Sequence, residues 1–340
     1  MESTVSEEEP FLSSPYPLSV APMMEYTDRH YRYFMRLITR HTLLYTEMVS
    51  AVAILLGDRD KLLGFSPEEH PIALQLGGDD PQQIARAIEV AELYGYDEYN
   101  INIGCPSDKV QEGNFGACLM ATPERVRDIV AAMRSATDKR VTVKHRIGID
   151  GRERYEQLLE FVDTVDEAKP DRFTVHARIA VLKGLSPKEN RNIPPLRYED
   201  VYALKGERPH LEIEINGGIK SMEAVEEHLR RVDAVMVGRA AYDSPFIFCE
   251  ADRIINGTKA PSASRREVVE GMFDYIDRAG EEGYHPRSVI RHMLGLFASQ
   301  PGSRGWKQRL SGPLPDDKPG SRILKDALGA VPREVLDSVA

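Results

Sequence analysis

The sequence predicts an α/β fold, a closed TIM (β/α)8 barrel followed by a small all-helical domain. Eight short segments rich in β-branched or apolar residues recur through the first two-thirds of the 340-residue chain, and helix-like stretches separate most of them. The first segment runs into Ala-Pro-Met-Met-Glu without a glycine, whereas an open doubly wound sheet usually carries a Gly-x-Gly-x-x-Gly motif there. The strand count and the missing motif together favour the barrel.

The predicted strands share a short apolar or β-branched run, and in chain order they are residues 18–23, 43–49, 71–76, 98–104, 141–147, 172–178, 211–217 and 233–239. Helical signals stand between them. Apolar residues recur with a 3.6-residue period in residues 81–94, and Thr122, which a proline follows, has the residue type of an N-cap. Residues 155–168 and 221–229 follow the same logic, with Ser221 as the expected N-cap.

Strand signals stop at about residue 260. The helices predicted beyond it are residues 263–280, 286–299 and 320–328, with a Gly- and Pro-containing break at 300–305. The chain therefore divides into an acidic, flexible tail at 1–17, a catalytic barrel at 18–260 and a helical domain at 261–340. The tail lacks the basic start and apolar stretch of a secretion signal, so we expect a cytoplasmic protein.

Composition narrows the class of protein. A hydrophobic content of 41% with 29% charged residues is typical of a soluble globular chain, and no apolar run approaches the roughly 20 residues that span a bilayer. The three cysteines are expected to be reduced thiols, and their spacing matches no zinc pattern, so we expect no metal. The net charge of −10 argues against a nucleic-acid partner unless the basic residues cluster.

The basic residues do cluster in the predicted helical domain. Residues 287–326 hold three acidic and eight basic side chains, the latter being Arg287, Arg291, Arg304, Lys307, Arg309, Lys318, Arg322 and Lys325. Lys183, Lys188 and Arg191 form a second basic group after the sixth strand. The single tryptophan, Trp306, lies in the first cluster, where it would either stack on a base or anchor the helical domain.

Barrel enzymes keep their chemistry at the carboxyl ends of the strands. In this sequence those ends carry Met23, Glu47, Gln75, Asn102, Cys105, Lys144, Arg146, His176, Arg178, Asn216, Gly217, Gly218, Gly238 and Arg239. The last five follow strands seven and eight, where barrels often bind a phosphate through glycine-rich backbone and a cationic side chain. The alternative is that these glycines only make tight turns.

Three of these side chains have an open interpretation. Lys144 lies on a strand among valines, so it would meet an anion, form a Schiff base or reach solvent. His176 is either functional or a satisfied core histidine. Cys105 has no histidine beside it, which favours a proton donor over a nucleophile, and a small buried apolar role is the alternative.

These strand-end motifs resemble the tRNA-dihydrouridine synthase family over nearly the whole chain. The matching segments are Ala-Pro-Met at 21–23, IALQL ending at Leu76, NINIGCP ending at Pro106, VTVKHR ending at Arg146, FTVHAR ending at Arg178, NGGI ending at Ile219 and VMVGRA ending at Ala240. Residues 176–196 and 291–306 are similar to the subfamily known for positions 20 and 20a of the tRNA D-loop.

The resemblance implies an FMN enzyme that reduces a uracil of the D-loop to 5,6-dihydrouridine. FMNH2 would deliver hydride from N5 to C6, Cys105 would give the proton to C5, and NADPH would reduce the flavin again. The implied FMN contacts are Ala21, Pro22, Met23, Gln75, Lys144, His176, Asn216, Gly217, Gly218, Gly238 and Arg239. The implied tRNA contacts are Asn102, Arg178, Lys188, Arg191, Arg304 and Lys307, and a monomer is the expected state.

Three rival interpretations stay open at this point. A Schiff-base aldolase would use Lys144 and bind no flavin. An FMN barrel acting on a small molecule, as dihydroorotate dehydrogenases do, would not need the basic helices. A non-enzymatic RNA-binding protein would keep its tRNA affinity when Cys105 is replaced. The sequence does not select the uridine, the nicotinamide cofactor or the origin of the acidic surface.

Overall fold

The computed structural model describes residues 14–314 and 318–339. Its eight strands are all parallel and close into a barrel in chain order, with β8 pairing back onto β1, so the predicted TIM barrel is confirmed. The strands are β1 Leu18–Val20, β2 Leu43–Ser50, β3 Ile72–Gly77, β4 Glu98–Ile103, β5 Arg140–Ile149, β6 Arg172–Ala180, β7 Ile213–Asn216 and β8 Ala234–Val237. Residues 1–13 of the predicted tail lie outside the described residues.

Helices alternate with the strands and then continue alone. The α-helices of the described residues are α1 Arg29–Arg36, α2 Ala51–Leu56, α3 Arg59–Leu63, α4 Pro81–Ala91, α5 Asp108–Glu112, α6 Pro123–Ala136, α7 Tyr155–Asp166, α8 Tyr198–Glu207, α9 Met222–Leu229, α10 Arg239–Asp243, α11 Ala251–Asn256, α12 Arg265–Gly271, α13 Phe273–Glu281, α14 Pro286–Ile290, α15 Ser303–Ser311, α16 Gly320–Leu328 and α17 Arg333–Leu336. Short 3-10 helices are Pro67–Glu69, Glu92–Tyr94, Gly116–Ala121, Glu189–Arg191, Pro245–Phe248 and Arg291–Met293.

The predicted helix starts have two different outcomes. Ser221 caps α9, because its side chain accepts a hydrogen bond from the backbone N–H of Ala224. Thr122 occupies the residue before α6, but its hydroxyl donates to the carbonyl of Leu119 at 3.4 Å instead of capping the helix. The predicted position of the cap is therefore confirmed, but the threonine side chain makes no capping hydrogen bond.

Three predictions in the C-terminal segment need correction. The helix predicted at 286–299 is shorter, because α14 ends at Ile290, a 3-10 helix covers Arg291–Met293 and residues 294–299 form turns. The stretch 263–280 is not one helix, since it divides at Met272 into α12 and α13. The break predicted at 300–305 is too long, because α15 begins inside it at Ser303. Trp306 on α15 is fully buried and donates from Nε1 to the carbonyl of Met293 at 3.0 Å, so it anchors the helices rather than facing a base.

The C-terminal helices pack against the first helix of the barrel. Asp28, which caps α1, accepts hydrogen bonds from His292 at 3.0 Å and from Arg291. His30 on α1 pairs through Nδ1 with the Tyr275 hydroxyl at 2.8 Å. These contacts hold the helical segment beside the loop that leaves β1. None of the helices in the described part of the chain has the length and apolar character needed to cross a membrane.

A buried ionic network fills the amino-terminal end of the barrel. Arg172 on β6 has no exposed surface, and its Nη2 donates to Glu98 at 2.6 Å and to the Tyr45 hydroxyl at 2.7 Å. Its Nε lies 3.3 Å from a carboxylate oxygen of Glu214, which also accepts from Ser19. Since these groups occupy the barrel interior, ligands can enter only from the opposite end, at the carboxyl ends of the strands.

Candidate active site

A ladder of buried amides runs across β3 and β4 towards the carboxyl end of the barrel. Gln75 donates from Nε2 to Oδ1 of Asn100 at 2.8 Å, and Asn102 donates from Nδ2 to Oε1 of Gln75 at 2.8 Å. Alternate residues of a strand face the same side, so Asn100 and Asn102 both point inward. The ladder fixes the orientation of both amide groups of Gln75 and Asn102, and it leaves Asn102 at the edge of the mouth.

Asn102 also positions the Cys105 loop. Its Oδ1 accepts the backbone N–H of Gly104 at 3.1 Å and of Cys105 at 2.9 Å. The carbonyl of Cys105 accepts from Ala117 at 2.9 Å, and its thiol lies 3.6 Å from the Ser107 hydroxyl. Cys105 is a free, partly exposed thiol, so the structure presents it from a backbone that is held on both sides.

Lys144 on β5 lies inside the mouth and donates from Nζ to Oδ1 of Asn216 at 3.2 Å. Burial lowers its pKa to about 8, and the neighbouring Arg146 adds to that effect. A largely buried cation whose partner is only an amide oxygen is suited to an anionic or electron-rich ligand. Among the described residues Lys144 forms no ion pair with a carboxylate.

His176 on β6 occupies the same face of the barrel. Burial holds its pKa well below the ordinary value for histidine, and the positive charges of Arg146 and Lys144 act in the same direction. The ring is therefore neutral at pH 7, with one nitrogen able to donate and the other to accept. It lies close to Gly217, where a Cβ would stand 2.7 Å from His176 Cδ2.

The three glycines after β7 and β8 differ in whether the protein's own backbone and packing exclude a side chain at that position. Gly217 and Gly218 have φ values of 121° and 74°, and a Cβ on Gly218 would stand 2.6 Å from Leu196 Cδ1, so the protein itself excludes side chains there. A Cβ on Gly238 would meet no protein atom closer than Ala21 Cβ at 3.8 Å. A side chain at Gly238 would therefore clash with no protein atom, so the packing of the protein itself does not require a glycine there.

The segment after β1 closes the site on the side of Gly238. The N–H of Ala21 donates to the carbonyl of Val237 at 2.8 Å, which continues the β1–β8 ladder. The N–H of Met23 donates to the Thr27 hydroxyl at 3.0 Å. Ala21, Pro22 and Met23 therefore form an ordered edge between the first and last strands.

Four arginines surround this mouth. In the described residues Arg146, Arg178, Arg191 and Arg239 form no ion pair with a carboxylate, although most other arginines of the barrel do. Arg178 is only 9% exposed, contacts the carbonyl of Pro194 through Nη1 and leaves its Nε without a partner. The acidic chain thus concentrates unneutralised positive charge at one end of the barrel.

Arg146 is a residue to which the sequence assigns no role. It is buried, and its guanidinium donates at 3.1 Å to the carbonyl groups of Gly104, Ile179 and Asn190. It therefore ties the loop of Cys105 to the loop that carries Arg191. Alternate residues of β5 face inward, which places Arg146 in the mouth together with Lys144. The carbonyl groups that it contacts lie 33 to 44 residues away along the chain, so the sequence around Arg146 does not indicate these contacts.

The remaining predicted tRNA contacts lie at the surface and away from the amide ladder. Lys188 and Arg191 are exposed on the loop after β6. Arg304 and Lys307 are exposed on α15, the helix that also carries the buried Trp306. The structure thus places the six predicted contacts at the barrel mouth, on the loop after β6 and on α15. Within the described residues, no group of three or more His, Cys, Asp or Glu side chains is arranged to hold a metal ion.

A closed parallel barrel whose strand ends converge on a thiol, an amide ladder and unpaired cations defines this protein as a (β/α)8-barrel enzyme. Solved structures agree on the fold. A 2-naphthoyl-CoA reductase complex superposes with a TM-score of 0.54 at 12% identity over 71% of this chain and 50% of that one. An old yellow enzyme homologue from Zymomonas mobilis gives 0.50 at 12% identity over 74% and 92%.

Sequence comparison then narrows the class to one family. A family model described as dihydrouridine synthase matches residues 19–327, and the chain belongs to that family. It is 56% identical over 318 residues to a protein of Synechocystis sp., covering 94% of this chain and 95% of that protein. A Vibrio parahaemolyticus protein is 51% identical over 94% and 98% of the two chains, and both relatives are named tRNA-dihydrouridine(20/20a) synthase.

Proposed function

We propose that this chain reduces uridine to 5,6-dihydrouridine in the tRNA D-loop at positions 20 and 20a, with FMN as its bound flavin and NADPH as reductant. The observation that carries the proposal is the placement of Cys105. Its thiol projects from a backbone that Asn102 holds at the mouth of a barrel lined by amides and cations. The names of the relatives, and the length over which they match, support the same reaction.

The residues of the mouth fit a flavin nucleotide. Two features suit its phosphate: Gly238, where a Cβ would clash with no protein atom, and Arg239, which forms no ion pair among the described residues. Asn216, Gly217 and Gly218 lie at the neighbouring strand end. The segment 21–23 and the side chains of Gln75, Lys144 and His176 would surround its ring system. FMN held there and reduced by NADPH would supply a hydride to C6 of the uracil ring. Lys144 would hold the negative charge of the reduced flavin, because it lacks a carboxylate partner of its own.

Reduction of the C5–C6 double bond also requires a proton at C5. We assign this proton to the Cys105 thiol, which needs position rather than an adjacent histidine base. Asn102 can orient the uracil edge, since its amide is fixed by Gln75 on one side and by the Cys105 loop on the other. The neutral His176 can contribute a hydrogen bond without adding positive charge to the site.

A uracil can reach this site only after it has left its stack, which costs a few kcal/mol. Contacts elsewhere on the tRNA must offset that cost. We assign them to Arg178, Lys188 and Arg191 at the barrel and to Arg304 and Lys307 on α15, with residues 261–340 as the tRNA-binding domain. Their unneutralised charge suits phosphates, whose contacts position a nucleic acid without reading its sequence.

Anaerobic reoxidation of the flavin tests this function. The flavin of the purified protein is reduced, tRNA that lacks dihydrouridine is added, and the visible absorbance of the flavin is followed. Fast reoxidation is expected with this tRNA, and none with fully modified tRNA or with orotate. A flavoprotein that ignores tRNA would be a small-molecule oxidoreductase instead. A protein unable to take up FMN would refute the proposal and return Lys144 to Schiff-base chemistry.

A further inference from the structure

Three large apolar side chains stand exposed on two loops at the barrel mouth. Met24 and Tyr26 follow β1 and are 54% and 43% exposed, and Ile193 follows β6 and is 59% exposed. Exposed apolar groups are ordinary when they are scattered singly, but these three lie beside the unpaired arginines and the Cys105 loop. None of them has a part in the reaction described above.

The backbone that carries Tyr26 is fixed in place. Glu25 adopts a left-handed conformation with φ of 68°, and its N–H donates to the Glu47 carboxylate on β2. The N–H groups of Tyr26 and Thr27 both donate to the carbonyl of Met23, at 3.1 and 3.0 Å. A non-glycine residue with positive φ is uncommon and costs free energy, so the surrounding contacts must hold Glu25 in this conformation. Tyr26 follows Glu25 directly and is therefore held in a defined position.

The ring of Tyr26 is also supported from one side. It packs edge-to-face against Tyr242 with centroids 4.4 Å apart, and Tyr242 packs in turn against Tyr31 and His292. Tyr31 is fully buried and donates from its hydroxyl to the carbonyl of Ala241 at 2.9 Å. The exposed Tyr26 ring is therefore the outermost member of an aromatic stack that reaches into the core, and it offers surface to solvent at the mouth.

Positive charge adjoins this ring. Arg191 lies close enough to both Tyr26 and Cys105 for each of them to act on its pKa, which partial burial and Arg239 lower overall. Arg239 donates to Asn192 Oδ1 at 2.8 Å and to the carbonyl of Arg191 at 3.2 Å, so this cationic loop is tied to the end of β8. Acidic groups also lie nearby, since Glu47 accepts the Glu25 N–H and the charges of Asp28 and Asp243 act on Tyr242.

A flat exposed ring beside unpaired guanidinium groups matches the chemistry of a nucleotide, whose base stacks and whose phosphate pairs. We propose that Tyr26 is the stacking platform for the nucleobase next to the uridine that is reduced. The inference rests on the proposed function, since extrusion of one base from the loop exposes a face of its neighbour. Tyr26 is a positioning residue for tRNA and touches neither the flavin nor the reacting atoms.

Substitutions at Tyr26 separate a stacking ring from other roles. Tyr26→Ala and Tyr26→Leu are expected to lower kcat/KM for tRNA by about 10- to 100-fold, the range that loss of one base–aromatic stack produces. Tyr26→Phe keeps the ring and should retain the wild-type value. All three should bind FMN and accept electrons from NADPH as the wild type does. Leu93→Ala removes an 85% exposed apolar side chain far from the mouth and serves as the matched control.

Salt dependence gives a second readout. Tyr26→Ala should weaken tRNA binding without changing the slope of log affinity against log salt, because no phosphate contact is lost. Arg191→Ala should lower that slope by about one. Wild-type tRNA kinetics in Tyr26→Ala would overturn the inference, as would a Phe variant as defective as the Ala variant or a loss of FMN. If wild-type protein itself fails to reoxidise with tRNA, the proposed function fails instead.

Discussion

Asn102 and Cys105 are joined by a hydrogen bond of 2.9 Å, in which the backbone N–H of Cys105 donates to the Asn102 side chain. The other end of the same amide donates to Gln75. One side chain thus connects the rigid interior of the barrel to the loop that bears the thiol. The position of Cys105 is set by strand residues rather than by its own flexible loop, which is what a proton donor with a fixed target needs.

Replacing Cys105 by alanine should separate the two halves of the catalytic cycle. FMN content and flavin reduction by NADPH should match the wild type, while reoxidation by tRNA should fall by about 100- to 10,000-fold, the usual contribution of a positioned acid. Stopped-flow absorbance measures both rates. Cys249→Ala removes another partly buried thiol and should leave both rates intact. Normal reoxidation in Cys105→Ala would show that the thiol is not the acid.

Lys144→Met should lower the reduction potential of the bound flavin. The wild-type ammonium has only an amide partner, so its charge is available to stabilise the anionic reduced form. Loss of one such interaction should shift the two-electron potential by about −30 to −60 mV, since 30 mV corresponds to about 1.4 kcal/mol. Titration against reference dyes measures the shift. An unchanged potential would remove Lys144 from the flavin site, and Lys188→Met is the exposed-lysine control.

Alanine at Gly217 and alanine at Gly238 should affect mainly different properties, the first stability and the second FMN binding. Gly217→Ala should lower the free energy of unfolding, because a Cβ there would clash with His176 at a φ of 121°. Gly238→Ala should reduce stability less, since the nearest protein atom is 3.8 Å away, but it should weaken FMN binding. Urea unfolding and flavin fluorescence measure the two quantities. Undiminished FMN affinity in Gly238→Ala would place the phosphate elsewhere.

Arg172→Met should cost about 3–5 kcal/mol of folding free energy, because it leaves Glu214 buried without its cation and Glu98 with only Arg140, at 3.7 Å. The control is Arg208→Met. That arginine pairs with Asp163 at 2.7 Å on the surface, where such a pair contributes at most about 1 kcal/mol. Denaturant unfolding of the flavin-free protein compares the two variants. Equal losses would mean that the barrel network is no more important than a surface pair.

The buried His145 should make the protein sensitive to acid. Burial lowers its pKa to about 4, whereas the unfolded chain titrates near 6.5. Between pH 6.5 and 4 the unfolded state therefore binds the extra proton, and stability is lost as pH falls. The loss attributable to this ring is on the order of 3 kcal/mol.

His145→Phe tests this assignment, since the ring packs between Phe161 and Phe173 and a phenyl group suits that site. Unfolding free energies at pH 7 and pH 4.5 should differ less in the variant than in the wild type. His30, whose pKa is also about 4, keeps part of the dependence. The same substitution at the exposed His210 is the control, and an unchanged difference in His145→Phe would refute the role of His145.

The strands and the site residues were open to prediction because their signals are local. Each strand announces itself by a short β-branched or apolar run, and barrel geometry then brings the residues at its carboxyl end to one mouth. Asn102, Lys144 and Asn216 could be placed together on that ground alone. The loops after β7 and β8 were accessible for the same reason, since Gly217 and Gly238 stand directly after their strands.

Other features depend on distant partners and had no local signal. Arg172 is the first residue of β6, and the sequence around it does not indicate its partner Glu98, which lies 74 residues away along the chain. The start of α15 within a Gly- and Pro-rich break follows from the burial of Trp306 against Phe297 and from Gly302, whose φ of 86° turns the chain into the helix. These features follow from long-range tertiary packing and not from the local secondary-structure propensity of the sequence.

The arginines around the mouth repel one another, and this repulsion destabilises the protein when no anionic ligand is bound. Burial lowers the pKa of Arg146, and Arg178 and Arg191 lie close enough for their charges to lower it further. Arg146 and Arg178 donate to backbone carbonyls rather than to carboxylates. Under the proposed function, the phosphates of FMN and tRNA would relieve that repulsion as well as add their own contacts, and both ligands would stabilise the folded chain. Inorganic salt also weakens the repulsion between these arginines, because it screens their charges. In the flavin-free protein, despite its net negative charge, electrostatic repulsion between positive side chains is therefore concentrated at one end of the barrel.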